Sequence, residues 1–424
     1  MEITELKSNN VKTTLIKTDK FKTITIQVVF LGEFSKENAT KRSLLTRVMS
    51  ASTKLYPTKK AIANKLYSLY DASIGISTYP TYKTSATVFT LDIVNPKNIK
   101  NAKNLTNEAI KLLKEFIFNP NVNDGAFDEK VFNEQKRILK ENINNIYNNK
   151  TRYALRRTLK LMAEDEIISV SALGDLKDLE KITASNLYET YQTMIKDENV
   201  SVFVVGDFDN QQMLNDLKIL DNFEDHLVQT EVVSKETKQI AKVREFVEKQ
   251  AINQSKLIMG FRTDINTTSE LYVPSLLFNA MFGGVFSSDL VKVVREENSL
   301  AYTIASQMIH DIKILIVSAG IDQDKYHLAS DLVIKQLELY KQGVMSLDNL
   351  NTAKEVLINE LIEIEDSPFM LINFYLRNYL YQTNYRNDDL IQAIKDVTLD
   401  QVQAVAQGVN LDTIFLLTSE DYHG

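Results

Sequence analysis

Along the first half of the chain, apolar and polar positions fall into runs of two distinct periods. Ile24, Ile26, Val28 and Phe30 alternate with Thr25 and Gln27, which predicts a strand with one buried face. A short polar loop over 33–38 precedes two helical patterns, 41–52 and 59–69, and alternation returns over 74–78 and 87–94. Helical spacing then covers 102–118 and 127–162, and a last helix leads into a terminal strand over 201–206. The second half repeats the plan: a strand at 256–261, helices at 269–282 and 288–297, strands at 301–308 and 312–320, several helices, and a closing strand at 413–417.

The repetition reaches single residues. Lys181-Ile182-Thr183-Ala184-Ser185-Asn186-Leu187 precedes the first terminal strand, and Asp396-Val397-Thr398-Leu399-Asp400-Gln401-Val402 precedes the second. Each Thr stands as the N-cap of a helix with an amide side chain three residues on, the spacing of a capping box. The offset, 398 − 183 = 215 residues, is about half of the 424-residue chain, so a tandem duplication explains the order better than two unrelated domains. The halves are expected over 1–225 and 243–424, joined by the charged, Gly-free segment 224–242 with a short strand after it. Meandering strand pairs with helices segregated between them read as α+β: two tandem homologous halves, each a mostly antiparallel sheet with helices packed on one face.

Composition narrows the function classes. With 49 basic and 56 acidic residues the net charge is −7, which argues against a general nucleic-acid binder. The densest basic stretch, Lys150, Arg152, Arg156, Arg157 and Lys160, recurs at helical spacing. It reads as a solvated helix face, or alternatively as a docking surface for an acidic partner or peptide. Residues 1–10 are polar, without the apolar core of a secretory signal. The most apolar stretch, 271–286, is broken by Pro274, Ser275, Asn279 and two glycines and is too short for a bilayer. These features predict a soluble, cytoplasmic protein with no membrane segment.

The candidate chemistry is defined mostly by what is missing. No Cys is present, which removes disulfides, thiolate metal sites and cysteine nucleophiles. The four histidines, His226, His310, His327 and His423, never fall within five residues of one another, so no imidazole pair on one helix face can clamp zinc. Gly283-Gly284 lacks the spacing and the Lys of a phosphate-cradling loop, and no Ser sits in a nucleophile elbow. His310-Asp311 lies between two strands and reads as a turn, the other histidines as structural or solvated, and Glu164-Asp165-Glu166 as a solvated loop.

One block goes further. Asp289-Leu290-Val291-Lys292-Val293-Val294-Arg295-Glu296-Glu297-Asn298-Ser299-Leu300-Ala301-Tyr302, after Phe282-Gly283-Gly284, resembles the C-terminal half of the pitrilysin and insulinase family of zinc peptidases. Asp366-Ser367 before a helix and Val204-Val205-Gly206-Asp207-Phe208 also match that family's pattern, so the resemblance spans nearly the whole chain. It implies a duplicated α+β fold of the LuxS/MPP-like metallopeptidase type. The family's catalytic signature is His-x-x-Glu-His on the first helix of the N-terminal half, two imidazoles for zinc and a Glu that activates the metal-bound water. Here that helix reads Ser43-Leu44-Leu45-Thr46-Arg47, with Ser43 and Arg47 at the ligand positions and Thr46 at the base. A hydroxyl and a permanent cation cannot replace imidazoles, so the metal role does not carry over.

The family's third ligand is a Glu seven residues after another acid, a pattern that Glu134 and Glu141 match. Seven residues bring both carboxylates to one helix face beside Ile138. Without the histidines they read as vestigial surface or salt-bridge groups, Arg47 being a candidate partner for Glu141. Arg295 and Tyr302 match the family's Arg and Tyr, which hold the substrate backbone and stabilise the oxyanion of the attacked carbonyl. Alternatively, Arg295 pairs with Glu296, Glu297 or Asp289 on an exposed helix while Tyr302 fills a strand face. The combination resembles the non-catalytic subunit of the family's two-subunit enzymes. This implies a peptide substrate, a homologous partner bearing His-x-x-Glu-His, and zinc in that partner with no cofactor in this chain. Paired proteins of this kind occur in Gram-positive bacteria. A catalytically inactive structural or peptide-binding pseudopeptidase is the alternative.

Overall fold

The alternating run at Ile24 lies in an eleven-residue strand that is buried on both faces rather than one, because the side away from the helices is also covered. The computed structural model describes the chain apart from residues 9–10, 101, 103, 164–165, 221–222, 224–230, 235–239, 241 and 423–424. The expected join at 224–242 therefore falls largely outside the described residues, as do His226 and His423.

The first sheet contains β1 (Glu2–Ser8), β2 (Val11–Lys17), β3 (Thr23–Glu33), β4 (Ser73–Thr81), β5 (Thr84–Val94) and, after a two-residue hairpin of β6 (Val122–Asn123) and β7 (Ala126–Phe127), β8 (Asn199–Gly206). The second contains β9 (Arg244–Lys249), β10 (Ser255–Arg262), β11 (Ala301–Ile309), β12 (Ile314–Ile321) and β13 (Asn410–Thr418). Strand order is β1-β2-β8-β3-β5-β4 in the first and β11-β12-β10-β13-β9 in the second. Read from the other end, the second order reproduces the first without β1. The match includes pairing sense, since β2·β8 and β9·β13 are the parallel pairs among the described residues. The hairpin of β1 and β2 lies where sequence patterning predicts no strand.

Both terminal strands follow the predicted capping boxes. Asn186 N–H donates to Thr183 Oγ1 at 3.2 Å and Thr183 N–H to Asn186 Oδ1 at 3.0 Å; Gln401 and Thr398 repeat the exchange at 3.4 and 3.0 Å. The single helix expected over 127–162 is two, Glu129–Asn148 and Lys150–Met162. The break is at Asn149, whose side chain accepts from Arg152 N–H at 3.0 Å and so starts a new helix instead of continuing the old one.

The described residues group into two compact units, each taking one segment from the other half of the sequence. Unit 1 comprises Met1–Asn144, Val170–Glu231 and Glu365–Arg377; unit 2 comprises Asn145–Ser169, Val232–Ile364 and Asn378–Gly424. In unit 1, Ile26, Val28 and Phe30 of β3 pack against Leu44, Leu45 and Val48 of the helix Lys36–Ala51 and against Leu113 and Phe116 of Leu105–Phe118. In unit 2, one sheet face packs on Phe278, Phe282 and Tyr340. The other face, Ile258, Ile316, Phe415 and Leu417, lies under Ala154 and Met162 of the helix Lys150–Met162. Gly260 lets that helix approach, since a Cβ there would overlap the Met162 side chain. The basic stretch is thus one side of a packed helix, with Lys150 and Arg157 tied to Gln250 (2.7 Å) and Glu248 (3.3 Å).

Candidate functional site

The helix Lys36–Ala51 carries the degenerate motif, and three neighbours fix it in place. Its buried Arg42 pairs with buried Glu198 at the entrance to β8, Nη1 reaching Oε2 at 3.4 Å and Nη2 meeting Oε1. Gly32 at the end of β3 makes room for the pair, because a Cβ there would overlap both charged groups. Two residues before Arg42, Thr40 Oγ1 accepts from Asp175 N–H at 3.0 Å; a Cβ on Gly174, whose φ is +83°, would strike Thr40. These contacts anchor the helix, and Ser43, Thr46 and Arg47 line a pocket of about 460 Å³.

Thr46 Oγ1 donates to Ser43 O at 3.2 Å, spending its proton on its own helix. Arg47 donates two N–H groups to Asn142 Oδ1 at 3.0 and 3.2 Å, with the amide oriented so that its oxygen faces the guanidinium. Burial pulls the Arg47 pKa down from its ordinary value. The expected Arg47–Glu141 pair does not form: Glu141 is exposed and bonds Arg137 at 2.6 Å, one turn back on its own helix. Glu134 is also exposed, held by Lys59 at 2.6 Å, and that hydrogen bond lowers its pKa.

The pair that does face the motif helix is one residue further on. Gln135 lines the pocket and Asn142 meets Arg47, and they too are seven residues apart. The signal is present in the sequence: Phe132, Leu139 and Ile143 define the buried stripe of Glu129–Asn148, Gln135 belongs to it and the half-buried Asn142 flanks it. Glu134 and Glu141 are turned about 100° away. Zinc does not fit this donor set, which offers hydroxyls, amides and a guanidinium and neither imidazole nor inward carboxylate. Among the described residues no three His, Cys, Asp or Glu side chains come together as a metal site.

In unit 2 the helix Tyr272–Asn279 runs into a π-helical turn, Ala280–Gly284, and a second π-helical segment, Val291–Glu297, carries Arg295. Leu300 N–H closes that segment onto Val294 O at 2.9 Å and Asn298 Nδ2 bonds Val293 O at 2.8 Å. The chain then enters β11 with Ser299 at φ +51°. Arg295 is exposed and forms none of the pairs with Asp289, Glu296 or Glu297; its guanidinium lies 5.4 Å from the centroid of the Phe286 ring, and Asp289 accepts from Tyr340 at 2.5 Å instead. Phe286 is 72% exposed, so this cation–π contact stays at the surface.

Tyr302 fills no strand face. The ladder pairs Ala301 with Ile321 and Thr303 with Gly320, leaving Tyr302 as the extra residue of a β-bulge, 59% exposed. Its hydroxyl donates to Asp322 Oδ1 and Oδ2 at 3.2 and 3.4 Å, and this hydrogen bond raises its pKa, so the phenol stays a donor at neutral pH. His310 lies in the expected turn, buried, with Nε2 2.8 Å from Ser275 Oγ.

Residues 181–357 match the family described as Peptidase M16 inactive domain. The chain is 29% identical over 417 residues to the probable inactive metalloprotease YmfF of Bacillus subtilis (strain 168), covering 98% of each chain. It is 24% identical over 162 residues to that organism's uncharacterized zinc protease YmxG, covering 38% of this chain and 39% of that protein. A crystal structure of a conserved protein from Enterococcus faecalis superposes with a TM-score of 0.92 at 28% identity, covering 100% of both chains. With residues 181–357 matching the inactive M16 peptidase domain, full-length similarity to a probable inactive metalloprotease and no imidazole or acid at its motif positions, the chain is similar to inactive members of the pitrilysin and insulinase family.

Proposed function

We propose that this chain is the non-zinc-binding subunit of a heterodimeric, cytoplasmic peptidase, with Arg295 and Tyr302 contributed to the zinc site of a homologous His-x-x-Glu-His partner. The carrying observation is the contrast between the two halves, 1–225 and 243–424. The motif helix of the first has neither imidazole nor acid at the motif positions, whereas Arg295 in the second makes no ion pair among the described residues and Tyr302 is displayed on a bulge. In the assembled enzyme the partner supplies zinc and general base, while the guanidinium and phenol of this chain hold the peptide backbone and meet the charge that develops on the carbonyl oxygen. Similarity to a zinc protease over part of the chain supports the existence of suitable homologues. Peptide hydrolysis by the co-purified pair tests the reading. Arg295→Ala is expected to lower kcat/KM about a hundredfold or more; unchanged turnover removes the assigned role.

A second reading, an inactive peptide-holding pseudopeptidase, draws support from the pocket beside the motif helix and from the likeness to a probable inactive metalloprotease. It predicts peptide binding by the isolated chain and no hydrolysis with any zinc-bearing homologue.

A further inference from the structure

Arg47 is a half-buried cation with no carboxylate to answer it among the described residues. Asn142 engages two of its N–H groups, leaving three of the guanidinium's five donors open. Lys59 stands on the same pocket, tied to Glu134 on the solvent side. Counting Arg47, Lys59 and Glu134 together leaves a single positive charge. Ser43 is buried and its hydroxyl has no partner among the described residues. Gln135 is only 6% exposed, lines the pocket, and has its Nε2 buried without an acceptor. Thr46 and Ser50 donate to the backbone of their own helix, at 3.2 and 2.7 Å, and so supply no competing protons.

The pocket thus gathers unspent donors and one net positive charge, with no carboxylate among its lining residues. The complement is a group that only accepts hydrogen bonds, carries one negative charge and is planar enough for a guanidinium: a carboxylate. A dianionic phosphate would leave charge over. The far wall comes from Ile76, Ser77 and Thr78 of β4, the last strand in the sheet order, and the volume of about 460 Å³ is that of a small-ligand site. We propose that the pocket beside the degenerate motif helix is a carboxylate site that takes the C-terminal end of a peptide. The identity of the ligand as a peptide rests on the peptide-holding reading above; the carboxylate specificity rests on Arg47, Lys59, Ser43 and Gln135.

The test is calorimetric titration of the full chain with acetyl-Ala-Phe-Ala as the free acid, with its C-terminal amide, and with inorganic phosphate. The acid is expected to bind at least about tenfold more tightly than the amide. Arg47→Met should abolish the difference, and Arg47→Lys and Gln135→Leu should narrow it, with thermal melts confirming that each variant is folded. Equal affinity for acid and amide overturns the carboxylate site and leaves peptide holding intact. Phosphate binding that is tighter than the acid and lost in Arg47→Met overturns the peptide end in favour of a phosphorylated ligand. Failure of both peptide forms to bind overturns the site and the peptide-holding reading together, and leaves the Arg295 assay to judge the heterodimer on its own.

Discussion

Gln27 and Ile258 occupy the same place in two copies of one sheet. Gln27 of β3 pairs with Phe203 of β8, and Ile258 of β10 pairs with Phe415 of β13, in ladders of the same order and sense. Around Ile258 the face is apolar and lies under Met162 and Ala154. Around Gln27 the face holds both amide atoms of Gln27, Thr14 Oγ1 and Ser201 Oγ, all buried and without hydrogen-bond partners among the described residues. Two layers of information separate here. Backbone pairing and the helix-facing stripes are kept in both copies, while the opposite faces have diverged. A stranded buried polar group costs about 1–3 kcal/mol, so the polar face of unit 1 is the weaker of the two.

Charge anchoring differs in the same way. Among the described residues of unit 1 the buried ion pair is Arg42–Glu198. Unit 2 surrounds Asp412 with Arg262 Nε at 2.8 Å and Arg244 Nη2 at 2.6 Å, and the same two arginines take up the terminal carbonyls of the helix Lys150–Met162. The largest expected effect follows from that contrast. Glu198→Ala leaves Arg42 buried and alone, and should cost unit 1 roughly 3–5 kcal/mol in denaturant titration. The double change Arg42→Met with Glu198→Met should recover most of the loss. If the single change costs no more than the double, the pair anchors nothing.

Exchanging the two sheet faces comes next. Ile258→Gln should destabilise by at least the roughly 1–3 kcal/mol of an unsatisfied amide, whereas Gln27→Leu should leave stability unchanged or raise it. A loss of equal size for both would mean that Gln27 has partners after all.

The pH response of Asp412 sharpens the difference between anchors. Burial raises its pKa, but hydrogen bonds from Arg244, Arg262 and Thr413 outweigh burial and hold it below the ordinary carboxylate value. A depressed folded pKa means that the contribution is complete above the unfolded pKa of about 3.9 and is lost as pH falls through the folded value. Acid titration of stability should therefore steepen below about pH 4, by up to about 1.4 kcal/mol per pH unit for this proton. Asp412→Asn should flatten that limb, and an unaltered limb would assign the acid loss to other groups. The smallest effect should be symmetric: Thr183→Ala and Thr398→Ala each remove a capping box and should cost about 1 kcal/mol apiece. Unequal losses would show that the two boxes no longer do the same work.

Local signals and cross-strand facts differ in how openly the amino-acid sequence carries them. The duplication is legible because capping boxes and strand order are local; Thr183 and Thr398 do in space what their spacing implies. The degeneracy of the motif is legible because Ser43, Thr46 and Arg47 are the wrong chemical types for zinc ligands and base whatever their geometry. Facing is harder. Glu134 and Glu141 match a pattern of residue types, yet the apolar stripe of their helix turns Gln135 and Asn142 inward. Pairing across strands is hidden as well. The bulge at Tyr302 depends on the register against β12, and β3 is buried on a second face that its alternation does not announce.

The bulge has a consequence in terms of chain length. With Ala301 opposite Ile321 and Thr303 opposite Gly320, removing Tyr302 would leave a continuous ladder, and the run Ala301, Thr303, Ile304 would alternate buried, exposed, buried without interruption. Tyr302 is thus a one-residue insertion that the sheet could lose without re-registering anything after it. Its side chain is accordingly free of the packing demands that fix its neighbours, and its hydroxyl meets Asp322 instead.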